Sequence, residues 1–205
     1  MPRPRSLTTA DLATAALAVI DRAGLSGLTM RAVAKELHVA TMALYRYVAD
    51  RDQLEVLVVD RVLGGVDLSV PAGDWREQLR ALLDRMRVAV SAHPAVVPLL
   101  MRHRQSATAT LHIIEAMLGV LAAAGFSGHD RVLAQRTLVG FLLGHLQNEH
   151  YAALAGPGTA AMAELVAADY PHLTETAAEA RGLAPAEEFH GGLDIVLRGL
   201  TPPGS

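Results

Sequence analysis

The chain has 205 residues, a formal net charge of −3, 51% hydrophobic residues, 4% aromatic residues and no cysteine. The lack of cysteine excludes disulfides, thiolate catalysis and cysteine-ligated metals. Apolar residues recur at helical spacing and never alternate as in strands, so we expect an all-α fold. No apolar run reaches the length of about 18 residues that a membrane span needs. Asp11 and Asp21 interrupt the N-terminal apolar pattern, so we expect no signal peptide, no membrane partner and a cytoplasmic location.

The charge is unevenly distributed along the chain. Residues 1–51 carry seven basic and four acidic side chains, a net charge of +3, which leaves −6 for the remainder. A basic head on an acidic body is typical of a domain that contacts phosphates joined to one that does not, although chance can also produce so small a difference. The N-terminal arm contains Arg3 and Arg5. Such an arm either inserts arginines into the minor groove of DNA or is a solubilising tail.

The first elements in the chain are three short helical patterns. Residues 9–23 predict a helix with Gly24 as its C-cap. Residues 28–48 then predict two helices, the first capped by Thr29 and the second beginning near Thr41. His38 stands in the turn between them, where a positive φ is common. Two short helices joined by a tight turn form a helix-turn-helix, whose second helix enters the major groove of DNA.

A fourth helix and a boundary follow. Asp50 is the expected N-cap of a helix that ends at Gly64 and Gly65. The segment Gly64 to Gly73, rich in glycine and containing Pro71, is the expected domain boundary. We therefore predict an N-terminal three-helix helix-turn-helix domain over 1–64 and a second domain over 65–205.

The second domain has the pattern of a helical bundle. Asp74 is expected to cap its first helix, and Pro94 and Pro98 to break off a short element. Residues between Tyr170 and Pro185 are weakly patterned and predict a mobile connection around a short helix. The longer predicted helices span 106–124, 129–154, which Gly156-Pro157-Gly158 would end, and 187–200.

The residues of the first domain resemble a known family. Gly27-Leu28-Thr29-Met30-Arg31, Ala34, Leu37-His38-Val39 and Leu44-Tyr45-Arg46-Tyr47-Val48 resemble the DNA-binding domain of the tetracycline-repressor (TetR) family, over about Thr8 to Leu63. The family usually has glycine where His38 stands. Asp74-Trp75-Arg76, Gly125-Phe126-Ser127 and Gly191 to Leu197 resemble its C-terminal regulatory domain more loosely. The resemblance implies a homodimeric repressor that releases palindromic operator DNA when a small, largely apolar effector binds.

The resemblance and the side-chain chemistry together select the expected DNA contacts. Arginine suits guanine because its fork matches O6 and N7, whereas hydroxyl and methyl groups suit thymine. The expected base contacts are Arg31, Thr41, Met42, Ala43 and Arg46. The expected contacts to the DNA backbone are Thr29, Tyr45, Tyr47 and Arg51.

The resemblance also implies a ligand site and a dimer interface in the second domain. Mostly apolar walls with a few polar groups are typical of small-molecule sites, and a filled core is the alternative for each residue taken singly. The expected ligand contacts are Trp75, Met86, Leu100, Met101, His103, Met117, Phe126, Phe141, His145 and Asn148. Helices 129–154 and 187–200 would form the dimer interface, with an apolar stripe that a lone domain leaves partly exposed, comprising Phe189, Leu193, Val196 and Leu197.

Two alternatives stay open from the residues. A regulator of the same fold could respond to a metal held by His145, Glu149 and His150, since His145 and Glu149 are spaced to share one helix face. The helix-turn-helix could also be incidental to a small helical-bundle enzyme or binding protein. The sequence contains no phosphate-binding glycine loop, no Gly-x-Ser-x-Gly and no His-Glu-x-x-His. We therefore expect no enzyme activity, no cofactor and no metal.

Overall fold

The computed structural model of the protein describes residues 7–202. Within this range all regular structure is helical and no strand occurs, which confirms the predicted all-α class. Arg3 and Arg5 of the expected arm lie outside the described residues. No single helix in 7–202 is long and apolar enough to cross a membrane, although the bent pair Pro94–His103 and Thr108–Ala123 passes that test by length and composition. The helices are α1 (Thr9–Ala23), α2 (Met30–Glu36), α3 (Thr41–Leu44), α4 (Arg51–Leu63), α5 (Trp75–Ser91), α6 (Val97–His103), α7 (Thr108–Ala123), α8 (Gly128–Tyr151), α9 (Pro157–Ala163), α10 (Pro171–Ala180) and α11 (Pro185–Gly199).

The chain forms two compact units. The described part of the first unit comprises 7–69 and 85–116, and that of the second comprises 70–84 and 117–202. The first unit therefore takes in more of the chain than the predicted DNA-binding domain over 1–64. Each unit has its own set of buried apolar residues.

In the first unit, α1 packs against α2 and α4. Thr8 and Asp11 form a reciprocal capping box at the start of α1, which fixes the predicted helix boundary at Thr9. The side chains that face inward carry the apolar spacing predicted from the sequence. Within residues 7–64, which we call the head, the fully buried ones include Leu12, Ile20, Leu28, Val33, Leu44, Leu54 and Val58.

The helix-turn-helix depends on three local features. The Thr29 hydroxyl accepts a hydrogen bond from the Ala32 amide at 3.0 Å, so the predicted N-cap of α2 is confirmed. His38 has a φ of 56°, the left-handed conformation predicted for the turn. A Cβ on Gly27 would lie 2.6 Å from the Cβ of Ala23, so glycine is required where the chain returns past α1.

Helix α4 connects the head to other parts of the first unit. The Asp50 carboxylate accepts from the Gln53 amide at 2.9 Å, which confirms the predicted N-cap. Further along, the Asp60 carboxylate accepts from the Ala109 amide in the first turn of α7 at 2.7 Å. Helix α4 also contacts α6. Polar groups on α4 thus hold two later helices of this unit.

In the second unit, α11 packs against α8. Arg80 on α5 binds Asp194 through two nitrogens, at 2.6 and 3.0 Å, and His190 lies 3.0 Å from Asp84. These polar pairs attach α11 to the first half of α5. A Cβ on Gly192 would lie 2.8 Å from the ring of Phe141, so α11 approaches α8 closely at that point.

Two predicted boundaries in the second unit are wrong. Helix α8 ends at Tyr151 instead of Leu154, and Gly156-Pro157-Gly158 begins α9 instead of ending the previous helix. The connection predicted around a short helix contains the ten-residue helix α10. Proline opens α9, α10 and α11, because its fixed φ suits the first turn of a helix and its missing N–H is not needed there.

Candidate nucleic-acid interface and sensor residues

Helix α3 turns one apolar side into the head and presents another outward. Leu44 is fully buried, and Val48 behind it is nearly so. Met42 is 74% exposed, with Thr41 and Ala43 half-buried beside it. An apolar side chain so exposed at the start of a helix has no packing role within the described chain. Three of the five predicted base contacts, Thr41, Met42 and Ala43, therefore lie at least partly exposed on α3.

Two arginines near this surface keep their charges available. Arg31 and Arg46 are exposed and form no hydrogen bond or ion pair with the residues that the structure describes. Arg22, by contrast, donates to Glu36 at 2.7 Å. That hydrogen bond and the guanidinium charge lower the pKa of Glu36. The available positive charge of the helix-turn-helix therefore comes from Arg31 and Arg46, together with exposed Lys35, and not from Arg22.

The predicted recognition helix is shorter than the sequence pattern indicated. The carbonyl of Leu44 accepts from the amides of both Tyr47 and Val48, at 2.9 and 3.1 Å, and this turn ends α3 at Leu44. Tyr45 and Tyr47 consequently lie in the turn after α3. Tyr45 is exposed and Tyr47 is half-buried. Thr29 is exposed as well and retains its own O–H for a partner, since its oxygen only accepts from Ala32.

Arg51 has a structural role that the sequence did not reveal. Its Nε donates to Oε1 of Glu55 at 2.8 Å, and its Nη2 lies 3.4 Å from the carbonyl oxygen of Leu25. The side chain thus joins the start of α4 to the segment between α1 and α2. Two N–H groups of the guanidinium are used within the protein, and the remainder can meet a phosphate.

Glu55 is the most deeply buried acidic side chain of the first unit that the structure describes. It is 0% exposed and accepts from Arg51 on one oxygen and from Arg102, at 3.1 Å, on the other. The Nε2 atom of His103 lies 2.8 Å from the same second oxygen. Burial alone would raise the pKa of Glu55, but the hydrogen bonds from His103 and Arg51 and the two guanidinium charges lower it. The carboxylate therefore stays ionised and links α4 to α6.

His103 was predicted to hold a ligand, and the structure instead gives it Glu55 as its partner. Asp52, Glu55 and His103 form the one group of three possible metal ligands found within 7–202, with ligand atoms inside 4.8 Å. Two guanidinium groups already bind the central carboxylate, and their positive charge opposes a cation there. We assign this cluster to the coupling of two helices.

The other predicted ligand contacts fall into both units. Met86 and Leu100 are buried in the first unit, and Met101 is half-buried there. In the second unit the aromatic members of the set contact one another. The Trp75 and Phe126 rings meet edge to face at 5.3 Å, and Phe141 stacks on His145 at 6.3 Å. Phe126, His145 and Met117 are buried in the interior of their unit, Trp75 and Phe141 are half-buried, and Asn148 is exposed.

The alternative metal ligands do not converge. His145 is buried, with Nε2 3.7 Å from Glu149 and Nδ1 4.0 Å from Glu188. His150 packs instead against the ring of Tyr151 at 4.3 Å. The proposed trio is absent from the groups of close ligand atoms in the described part of the chain. Glu149 lies on α8 with His145, whereas Glu188 lies on α11, so the contact between His145 and Glu188 fits a role in holding the two helices together.

The stripe predicted for the dimer interface is buried within the chain itself. Phe189, Leu193 and Leu197 are at most 1% exposed, because they face α8, and Val196 is half-buried. The expectation that a lone domain leaves this stripe partly exposed is therefore wrong for Phe189, Leu193 and Leu197, whereas Val196 does remain partly exposed. The opposite face of α11 carries Ile195, which is 64% exposed. Sequence periodicity located the apolar face of the helix but could not tell an internal partner from an external one.

A cleft in the second unit was not predicted from the sequence. The last turn of α8, helix α9 and helix α10 enclose a volume of about 580 Å³. Its walls include Asn148, the one predicted ligand contact found there. The cleft was missed because residues 170–185 were interpreted as a mobile connection around a short helix and not as the wall of a site. The available signal was proline at 157 and 171, each placed to open a helix.

The geometry so far defines a helix-turn-helix DNA-binding protein with a separate helical unit. Comparison with known proteins gives the family. Residues 7–54 match the model of bacterial regulatory proteins of the tetR family, and residues 69–202 match the tetracycline repressor-like C-terminal domain. The chain belongs to the TetR family of transcriptional regulators. It is a regulator and not an enzyme.

Three known proteins illustrate the similarity. The transcriptional repressor DrrR1 of Streptomyces coeruleorubidus is 30% identical, over 97% of this chain and 78% of its own length. ActR of Streptomyces coelicolor, solved in complex with (S)-DNPA, is 26% identical with a TM-score of 0.80, over 95% and 96% of the two chains. BioQ of Mycobacterium smegmatis, solved with its double-stranded DNA operator, is 25% identical with a TM-score of 0.72, over 95% and 98%.

Proposed function

We propose that this protein is a homodimeric repressor that binds a palindromic operator and releases it when a small, largely apolar effector binds. The observation that carries the proposal is the outward surface of α3. Met42 protrudes there, while Leu44 anchors the helix from behind. Arg31 and Arg46 add positive charge without a partner among the described residues. Backbone contacts from Thr29, Tyr45, Tyr47 and Arg51 would set the register of the head on DNA.

The outer faces of α8 and α11 support the proposed homodimer. Ile195 on α11 and Leu133 on α8 are large apolar side chains that remain exposed in the chain. Gly140 and Gly191 leave open space beside them, where a Cβ would meet no atom within 4 Å. Close approach of a second copy would use that space and cover the apolar groups. A dimer supplies the two recognition helices, about 34 Å apart, that a palindrome requires.

The response to an effector needs a path to the head, and Glu55 provides one within the first unit. Arg51 ties Glu55 and the start of α4 to the Leu25 carbonyl. Arg102 and His103 tie the same carboxylate to α6. A displacement of α6 is therefore transmitted to α4 through an ion cluster that is buried at its centre. An effector that prefers the displaced state lowers operator affinity by the ratio of its affinities for the two states.

The experiment is selection of binding sites from a pool of random-sequence duplex DNA by the full-length protein. We expect enrichment of a palindrome whose half-site centres lie about one helical turn apart. The selected duplex should bind with a strong dependence on salt, because phosphate contacts release counterions. Failure to enrich any sequence, with folded protein in hand, would overturn the proposed function. Enrichment of a single non-repeated half-site would overturn the palindrome.

A further inference from the structure

The cleft between α8, α9 and α10 has the size of a small-molecule site. Its volume of about 580 Å³ lies within the range of roughly 300–1,000 Å³ that such sites occupy. All of its walls belong to the second unit. The space exists because the walls are built from small side chains. The alanines that line it are Ala152, Ala153, Ala177 and Ala180.

The lining defines the chemistry of a guest. No aspartate, glutamate, lysine or arginine lines the cleft. Apolar walls also come from Leu154, Met162 and Leu173, and hydrogen-bonding groups come from Asn148, Thr159 and Thr176. A charged guest would find no carboxylate, ammonium or guanidinium group as a counter-charge, and its desolvation would be poorly compensated. The lining therefore favours a neutral molecule with a large apolar body.

The end of α8 adds a preference among neutral molecules. Tyr151 is the last residue of α8, and His150 and Tyr151 both line the cleft. The carbonyl groups at a helix C-terminus lack partners within the helix and carry the negative end of its dipole. They accept hydrogen bonds and repel an anion. A guest with an N–H or O–H donor fits this end of the cleft, and one with a sulfonate or carboxylate does not.

We propose that this cleft binds the effector, a neutral, largely apolar compound that carries at least one hydrogen-bond donor. That the bound compound is the effector rests on the proposed function, whereas binding of a compound to the cleft can be tested without DNA. Helix α8 supplies one wall of the cleft, and its outer face forms part of the proposed dimer interface. A guest that moves the end of α8 would therefore act on a helix of the proposed dimer interface.

The test uses full-length protein labelled with carbon-13 in the methionine methyl groups, and N-phenyl-1-naphthylamine as the probe. This probe is neutral and apolar and carries one N–H donor. Met162 is the one methionine among the residues that line the cleft, and the Met162→Leu variant identifies its signal. We expect the probe to shift the Met162 signal and to leave the signals of Met30 and Met42 in the head unchanged. A Met162 signal that does not move at saturating probe overturns the site.

Matched variants on α10 test the location. Ala180→Trp places an indole in the cleft, whereas Ala178 is exposed on the same helix and does not line it. Ala180→Trp should weaken probe binding by at least about tenfold, and Ala178→Trp by less than about twofold. Thr176→Trp serves if Ala180→Trp does not fold, because Thr176 is exposed and also lines the cleft. Equal losses in the cleft variant and in Ala178→Trp overturn the site.

A second probe tests the predicted class of ligand. The sulfonated analogue 8-anilinonaphthalene-1-sulfonate has the same rings with an added negative charge, so it should perturb Met162 far less. Equal perturbation by both probes overturns the preference for neutral guests. Failure of the operator selection leaves these binding results standing, and failure of probe binding leaves the operator result standing. The two proposals therefore fail separately.

Discussion

The Nε2 atom of His103 lies 2.8 Å from the Oε2 atom of Glu55, and both side chains are buried. The first residue belongs to α6 and the second to α4. His103 was expected to contact a ligand, and it instead connects α6 to α4, the helix that follows the recognition helix α3. An effector need not touch His103 to act through it, because any movement of α6 changes this contact.

Glu55→Gln should make the protein less stable by about 1–3 kcal/mol at neutral pH, because the charged hydrogen bonds from Arg51, Arg102 and His103 lose their carboxylate. The folded-state pKa of Glu55 is lowered, below an unfolded value of about 4.3. The stabilisation is therefore fully present above that value and is lost as the pH falls through the lowered pKa. Urea unfolding across this acidic window measures the difference. Exposed Glu115→Gln is the control, and an equal loss there would contradict the prediction.

Arg31→Ala should reduce operator affinity by about 1–3 kcal/mol and relax the preference for one base pair, because an arginine fork reads guanine. Tyr47→Phe should instead weaken all sequences alike, since its hydroxyl is expected on a phosphate. Equilibrium titration of the selected operator and of single-base variants distinguishes these effects. Arg181→Ala, at an exposed residue of the second unit, should change neither. Wild-type binding by both head variants would show that the head meets DNA through another surface.

Ile195→Asp should convert the homodimer to a monomer and abolish binding to the palindrome, because a carboxylate would be buried at the proposed interface. The fold should persist, since Ile195 is exposed within the chain. Light scattering gives the mass and circular dichroism the helix content. Leu183→Asp is the matched control, as Leu183 is another exposed apolar residue of the same unit. A dimeric Ile195→Asp protein would place the interface on other residues.

His38→Gly should stabilise the head slightly. The left-handed conformation at φ 56° costs a side-chain-bearing residue about 1–2 kcal/mol. Glycine removes that cost but gains freedom in the unfolded chain worth roughly 0.5–1 kcal/mol, so the net gain should not exceed about 1.5 kcal/mol. His38→Val should destabilise, because branched side chains tolerate this region least. A variant order with valine above histidine in urea unfolding would contradict the assignment of the turn.

Local chemistry explains which elements could be predicted from the sequence. Thr29, Asp50 and Gly24 act on amides and carbonyls within a few residues, so their roles as caps follow from spacing alone. The positive φ of His38 was predictable for the same reason. The early end of α3 was not, because the turn after Leu44 depends on Val48 being buried against other helices.

Contacts between distant parts of the chain limited the prediction of sites. Glu55 and His103 are separated by 48 residues, and no local pattern pairs them. The stripe on α11 was recognised, but whether α8 or a second copy covers it depends on tertiary packing. The cleft needed the correct ends of α8 and α9 before its walls could be identified.

The Ala109 amide donates its hydrogen bond to the Asp60 carboxylate, although the two residues are 49 positions apart. The first amides of a helix exchange readily with solvent when nothing outside the helix accepts their protons. The hydrogen-exchange rate of this single amide therefore reports how stably the contact between α4 and α7 is formed. Its measurement requires no label on the DNA or the ligand. Operator DNA that stabilises the position of α4 should slow hydrogen exchange at the Ala109 amide. A compound that displaces α4 should accelerate it.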